Sequence, residues 1–343
     1  MAALDHLEGT LLGTALGDAL GLAAEGMSSK RIARRFGRVE RFHLIGRLGF
    51  VSDDTELAAL VAQSLAHHPL DADRCALAFR RSLLGWCCRL PWGVGRATLR
   101  AGIRISLGRS RSGVMSAGNG AAMRAAIIGA YFHDRTEPRL RFGRALAEVT
   151  HRDPRAVEGA LYVAELAAAC VRGLGATTRE ACQEEARRVV KIDELGEAID
   201  RAKDLAFAGA DTSAAALACN TSGFVVHTLA IATFGFLRFG QDPLFALTEV
   251  ISAGGDTDSI AAILGGWLGA YHGSAALPAD LIGRIHDGPF GPTHLRALGH
   301  ALARIQEGES APVPHYSTSA ALARNIALYP VILGHGFRRL LPF

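Results

Sequence analysis

Two short acidic clusters carry the side chains best suited to chemistry: Ser52-Asp53-Asp54-Thr55-Glu56 and Gly254-Gly255-Asp256-Thr257-Asp258-Ser259. They lie about 200 residues apart, and each directly precedes apolar residues at helical spacing. Leu57, Leu60, Val61 and Leu65 follow the first; Ile260, Ile263, Leu264, Trp267, Leu268 and Tyr271 follow the second. Both clusters therefore stand where a helix begins, with Ser, Asp and Thr in the capping positions they favour. Four aspartates and two serine hydroxyls at two helix starts form an oxygen-rich set of the kind that holds a hard divalent cation such as Mg²⁺. Capping alone explains part of this, because carboxylates suit the positive end of a helix dipole without any metal. A cap needs only one acceptor, however, and each cluster offers two carboxylates plus a hydroxyl. Gly254 and Gly255 also permit a close backbone approach that an ordinary cap does not require.

Two glycine-rich loops are candidate anion sites. Ser116-Ala117-Gly118-Asn119-Gly120 precedes an apolar stretch from Ala121, and backbone N–H groups at such a helix start can face phosphate. Asn-Gly is equally a turn dipeptide. Pro91-Trp92-Gly93-Val94-Gly95 has the same two readings, and the two loops together would suit a diphosphate. His151 lies in the turn before the helix expected from Asp153, where a histidine either meets a ligand or is simply solvated. Glu25 ends the first helix, where an acid opposes the dipole, so that a functional reason competes with tolerance of an exposed acid.

The elements that must position these groups read as helices throughout. The first spans 4–25 and is dense in Gly and Ala, which calls for a packing or functional reason. Others are expected near 71–89, 120–132, 138–149, 153–174, 178–190, 193–207, 217–239, 242–252 and 293–307, with Ala214–Leu237 read as a buried core stretch. Val39–Leu44 is at best a short strand. The pattern implies an all-α chain folded as a single domain over 1–343, with 308–343 a C-terminal wrap ending in a helix near 319–328. With 343 residues, 49% of them hydrophobic, the chain can bury a large core. The formal charge of +4 is small and the basic residues read as dispersed over a solvated surface, so nucleic acid is not indicated. Six cysteines without a CxxC pair read as reduced, mostly buried thiols of a cytoplasmic protein. No signal peptide and no clean transmembrane run is evident, so no membrane association is expected, and monomer is the default.

In this order the pieces resemble the ADP-ribosylglycohydrolase family. The resemblance rests on Gly13-Thr14-Ala15-Leu16-Gly17-Asp18-Ala19-Leu20-Gly21 with Glu25, Ser52-Asp53-Asp54-Thr55, Ser116–Arg124, His151 with Pro154, and Gly255–Ser259. It implies an all-α orthogonal bundle with a two-Mg²⁺ centre (Mn²⁺ being the alternative ion). Ser52, Asp53 and Asp54 would bind metal from one side, and Asp256, Asp258 and Ser259 from the other. Glu25 would be a further ligand, or a gate that assists the leaving group. Asp54 or Asp256 would act as base. Ser116, Gly118, Asn119 and Gly120 would line the ADP-ribose diphosphate and ribose, with Gly93 and Gly95 as helpers and His151 facing ribose or phosphate. The implied reaction cleaves the ribose C1″ N- or O-glycosidic bond of an ADP-ribosylated protein or small molecule, releasing ADP-ribose. Rival readings are a catalytically silent, crystallin-like ADP-ribose or nucleotide binder, and a hydrolase of another nucleotide-linked sugar.

Overall fold

A computed structural model describes residues 2–173 and 177–340. Among these residues it contains seventeen α-helices and no strand, which agrees with the all-α expectation. The glycines of the first helix, Ala2–Gly21, find their reason in packing. Gly9, Gly13, Gly17 and Gly21 recur every four residues and face the helix Thr257–His272 along its length. A Cβ added to Gly17 would lie 1.9 Å from the Ala261 carbonyl oxygen, and one added to Gly13 would overlap the Gly265 carbonyl. The fit is reciprocal, since side chains on Gly265 or Gly269 would overlap the carbonyls of Gly13 and Gly9. The two helices thus touch backbone to backbone and run antiparallel. Hydrogen bonds pin both ends, from Thr257 Oγ1 to Gly21 O (2.8 Å) and between His6 Nδ1 and Ala270 O (2.8 Å). The end of one helix, leading to Glu25, is thereby laid beside the start of the other, at Asp256–Ser259.

A second strut joins the first helix to Asp53–His67. Asp18 is fully buried, and its Oδ2 accepts from Ser52 N (2.8 Å), Thr55 N (3.2 Å) and Thr55 Oγ1 (2.5 Å). One carboxylate oxygen from a neighbouring helix thus satisfies donors that every helix start leaves open. Three residues into that helix, buried Glu56 accepts from Trp86 Nε1 (2.6 Å) and from Arg324 Nη2. Arg324 belongs to the last helix, Thr318–Leu340, which is longer than the 319–328 expected. This helix also sends Asn325 Nδ2 to Arg89 O (2.9 Å) and packs Leu328 with Leu22, Leu44, Phe50 and Trp92. It therefore buttresses the Asp53 helix, the Pro91–Gly95 loop and the turn before Glu25.

Most expected helices appear with ends shifted by no more than three residues, residue 174 lying outside the described residues. Four expectations need correction. Ala214–Leu237 is not continuous: Thr212–Cys219 and Val225–Phe239 flank a turn at Asn220–Phe224, where Asn220 takes a φ of 60°. The expected helix at 120–132 is α-helical only over Ala126–Tyr131, after a short 3₁₀ turn at Asn119–Ala121. Val39–Leu44 forms no strand; Val39 and Phe42 instead bury their side chains individually. Three helices were unforeseen, Ser29–Phe36, Arg96–Ser106 and the single turn Ala279–Ile282; the second has Leu99 and Ile103 in solvent, which hides the usual periodicity. No helix among the described residues is long and apolar enough to cross a membrane.

Candidate active site

The two acidic clusters and both glycine loops open onto one cavity of about 360 Å³. Glu25, Asp53, Asp54, Asp256, Asp258 and Ser259 line it, as do Gly93, Gly95, Ser116, Gly118, Asn119, Gly120 and His151. Ser52 is not on the wall; its hydroxyl instead donates to Asp54 Oδ2 at 3.2 Å. Arg96, Ala97, Thr98, Met123 and Gly223 complete the lining and were not singled out by sequence.

Capping accounts for one cluster and not the other. Ser52 is a true cap, accepting from Asp54 N at 3.4 Å. Asp256 occupies the corresponding position of its helix, yet its side chain makes no capping bond. Its Oδ2 accepts instead from Asn119 Nδ2 (2.6 Å), which also donates to Thr228 Oγ1 (3.0 Å). Asp54 joins the clusters: Oδ2 accepts from Ser52 Oγ and from Ser259 Oγ (3.3 Å), while Oδ1 is buried without a hydrogen-bond partner. An unpartnered buried carboxylate oxygen is costly. Burial, followed by mutual repulsion, holds the carboxyls of Asp53, Asp54 and Asp258 well above the usual carboxylate range. Burial likewise raises Asp18 to about 6, against the opposing pull of its bonds from Thr55 and Ser52. Among the described residues, no three His, Cys, Asp or Glu side chains are drawn together as a ready ligand set.

The loops owe their positions to close backbone contacts. Gly93 (φ 80°) lies over Asp53, where a Cβ would stand 2.6 Å from Oδ1. Gly255 (φ 83°) donates its N–H to Met27 O (2.9 Å) and accepts from Gly26 N (2.7 Å), so the close approach inferred for the glycine pair is present. The Asn220–Phe224 turn, missed in the sequence, clamps the site from another side. Thr221 O accepts from Asp256 N (2.7 Å), and Gly223 O accepts from Asn119 N (3.0 Å). The signal for it was Asn-Thr-Ser-Gly, four turn-favouring residues inside an apolar run.

His151 is buried rather than solvated, with Nδ1 2.8 Å from Thr150 Oγ1. Burial, then the charge of Arg124, pushes it down to about 3, so the ring is neutral at physiological pH. Arg124 itself donates to Gly120 O, Leu146 O (3.1 Å) and Thr150 Oγ1 (2.7 Å), and rests on the Phe79 ring. One buried guanidinium thus ties the Ser116–Gly120 loop to the His151 turn. Its signal was a lone arginine within Ala-Ala-Met-Arg-Ala-Ala-Ile.

Buried carboxylates thus face glycine-rich loops across one cavity on an all-helical frame. The ADP-ribosylglycohydrolase family model matches residues 1–312, and the chain belongs to that family. Membership places it among glycohydrolases that act on ADP-ribosylated substrates. It is 33% identical over 270 residues to an uncharacterized protein of Archaeoglobus fulgidus, covering 76% of this chain and 85% of that one. It is 29% identical over 295 residues to the ADP-ribosyl-[dinitrogen reductase] glycohydrolase of Rhodospirillum rubrum, covering 82% and 90% respectively. A solved structure described as an ADP-ribosylglycohydrolase-related protein complex aligns with a TM-score of 0.71 at 28% identity, over 89% of this chain and 99% of that one.

Proposed function

We propose that this chain hydrolyses the C1″ N- or O-glycosidic bond of ADP-ribosylated substrates with the help of two divalent cations, Mg²⁺ or Mn²⁺, and releases ADP-ribose. The observation that carries the metal reading is Asp54, whose buried Oδ1 lacks a partner amid carboxylates that repel one another. A divalent cation offsets that repulsion, and an all-oxygen donor set suits Mg²⁺ or Mn²⁺ over zinc. Asp53, Asp54, Asp256, Asp258 and Ser259 would hold the ions. Ser52 would act from behind through Asp54, and side-chain rotation would gather the ligands. When bound, the cations supply Lewis-acid polarisation and charge neutralisation.

The chain's own residues do the rest. Asp256, half-buried and oriented by Asn119, and Asp54 are the two candidates to take a proton from the attacking water. Glu25, at the cavity wall beside both clusters, protonates the leaving group. The Ser116–Gly120 loop receives the diphosphate through groups other than the Asn119 and Gly118 N–H groups, which are bonded to Gly223 O and Ser116 Oγ, with Gly93 and Gly95 leaving room for it, and neutral His151 offers a hydrogen bond without adding charge.

The test is release of free ADP-ribose from arginine-linked and serine-linked substrates, with Mg²⁺ and then with EDTA. Metal-dependent release is expected, and the substrate that is cut names the linkage. Asp54→Ala and Asp256→Ala are expected to fold and lose turnover; retained activity in either would remove the role given to that residue. Absence of release from every linkage, with ADP-ribose still bound, would turn the reading to a silent binder.

A further inference from the structure

Charge in this chain is not dispersed after all. Residues 74–133 contain ten arginines and no Asp, Glu or Lys. Within this segment the helix Arg96–Ser106 begins at the wall of the catalytic cavity and runs outward from it. Leu99, Ile103 and Leu107 recur along it at four-residue spacing and are 51%, 52% and 69% exposed. Arg96, Arg100 and Arg104 form a second stripe at the same spacing.

A cavity of about 570 Å³ lies against this helix, lined by Arg100, Ile103, Arg104, Met115 and Arg152. It adjoins the catalytic cavity along three segments: Thr98, Ser116 and His151 line one, and Arg100, Met115 and Arg152 line the other. Among the described residues Arg96, Arg100, Arg111 and Arg152 make no ion pair and no side-chain hydrogen bond, and Arg104 reaches only Gly113 O (2.7 Å). Among the described residues that line these two outer cavities the acid is Glu148, in the next cavity along, and it stands 4.0 Å from Arg144.

We propose that this face docks the acceptor of the ADP-ribosyl group, and that the acceptor is a protein whose modified residue is flanked by an acidic segment with interspersed apolar side chains. The proposal rests on the hydrolase reading above. Unpaired guanidinium groups recruit carboxylates and steer them toward the cavity mouth. The aliphatic stripe between them requires apolar side chains in return, which a phosphate backbone does not offer. Its exposed residues are aliphatic rather than aromatic, so it is not a platform for stacking bases.

The test compares three substrates with one linkage: an ADP-ribosylated peptide with Glu/Leu flanks, one with Gln/Ser flanks, and the free ADP-ribosylated amino acid. The wild type is expected to show at least about a tenfold higher kcat/KM on the Glu/Leu peptide, falling steeply with salt. Arg100→Glu with Arg152→Glu, and separately Leu99→Ser with Ile103→Ser, should erase that preference while leaving the free amino-acid substrate unchanged. Equal rates on both peptides would overturn the proposal. So would equal losses on the free amino acid, which would give the cavity to the ADP-ribose itself, or a preference for an ADP-ribosylated oligonucleotide. Fluorescence anisotropy with the unmodified Glu/Leu peptide gives a readout that needs no catalysis. Salt-sensitive binding without cleavage of any substrate would keep the docking surface and refute the hydrolase reading.

Discussion

Replacing Gly17 by Ala tests the contact on which the site depends. Ordinary contact begins near 3.4 Å, and the new methyl would stand 1.9 Å from the Ala261 carbonyl oxygen, so the helices must part by about 1.5 Å. The obstacle is backbone and cannot rotate aside. Overpacking costs ~1–3 kcal/mol, and a backbone clash belongs at the upper end; alanine returns ~1 kcal/mol in helix propensity. A net loss of about 2 kcal/mol is expected in urea unfolding followed by circular dichroism. Parting the helices also moves Glu25 relative to Asp256 and Asp258, and a misplacement of about 1 Å lowers kcat by about a hundredfold in the molecules that remain folded. Gly85 is the control: it lies in the helix Ala72–Cys87 with nothing within 4 Å of an added Cβ. Gly85→Ala should therefore stabilise by up to ~1 kcal/mol without changing kcat. A Gly17→Ala protein as stable as wild type would refute the packing argument. One that is destabilised yet fully active would refute the coupling to the site.

Asn119→Ala removes the donor that orients Asp256 and should lower kcat by about 10- to 100-fold, while the melting temperature falls by only a few degrees. Arg324→Met strands Glu56, both side chains being under a tenth exposed, and should cost ~3–5 kcal/mol. Adding Glu56→Gln should restore at least half of that loss in the same unfolding assay. His151 is held neutral in the fold, with its pKa lowered from 6.5 to about 3, so the unfolded chain binds the extra proton in that window. Its contribution to stability is thus complete above pH 6.5 and is lost as the pH falls toward 3, by ~1.4 kcal/mol per pH unit. Unfolding at pH 7.5 and 5.5 should show this fall, and His151→Phe should reduce it by about 1.4 kcal/mol.

Legibility in the sequence followed how locally each feature is determined. The acidic clusters could be read because helix starts, capping residues and apolar spacing are all local signals. That they meet was inferred by resemblance; physically it is the work of glycines at 9, 13, 17 and 21, whose partners stand some 250 residues away. Asp18 could not be assigned a role from its own surroundings, since all of its hydrogen bonds go to Ser52 and Thr55 on another helix. Arg124 was similarly silent until Thr150 and Leu146 came into view. The Asn220–Phe224 turn is hidden for a different reason: hydropathy on both sides outweighs four turn residues, which nevertheless break the run where Asn220 takes its positive φ.

The pairing of Ala2–Gly21 with Thr257–His272 also orders events at the ribosome. The first helix is synthesised about 250 residues before its partner is complete, an interval of about 12 to 50 s at ~5–20 residues per second. Throughout it the glycine stripe has no backbone to lie against, and the carboxylates it will bring together stay apart in solvent. A chain halted before the second cluster lacks the closest-packed partner of its first helix, and its first acidic cluster has no second one to face. The two acidic clusters therefore meet only late, with the arrival of Thr257–His272, and the helix Thr318–Leu340 that buttresses the first of them comes later still.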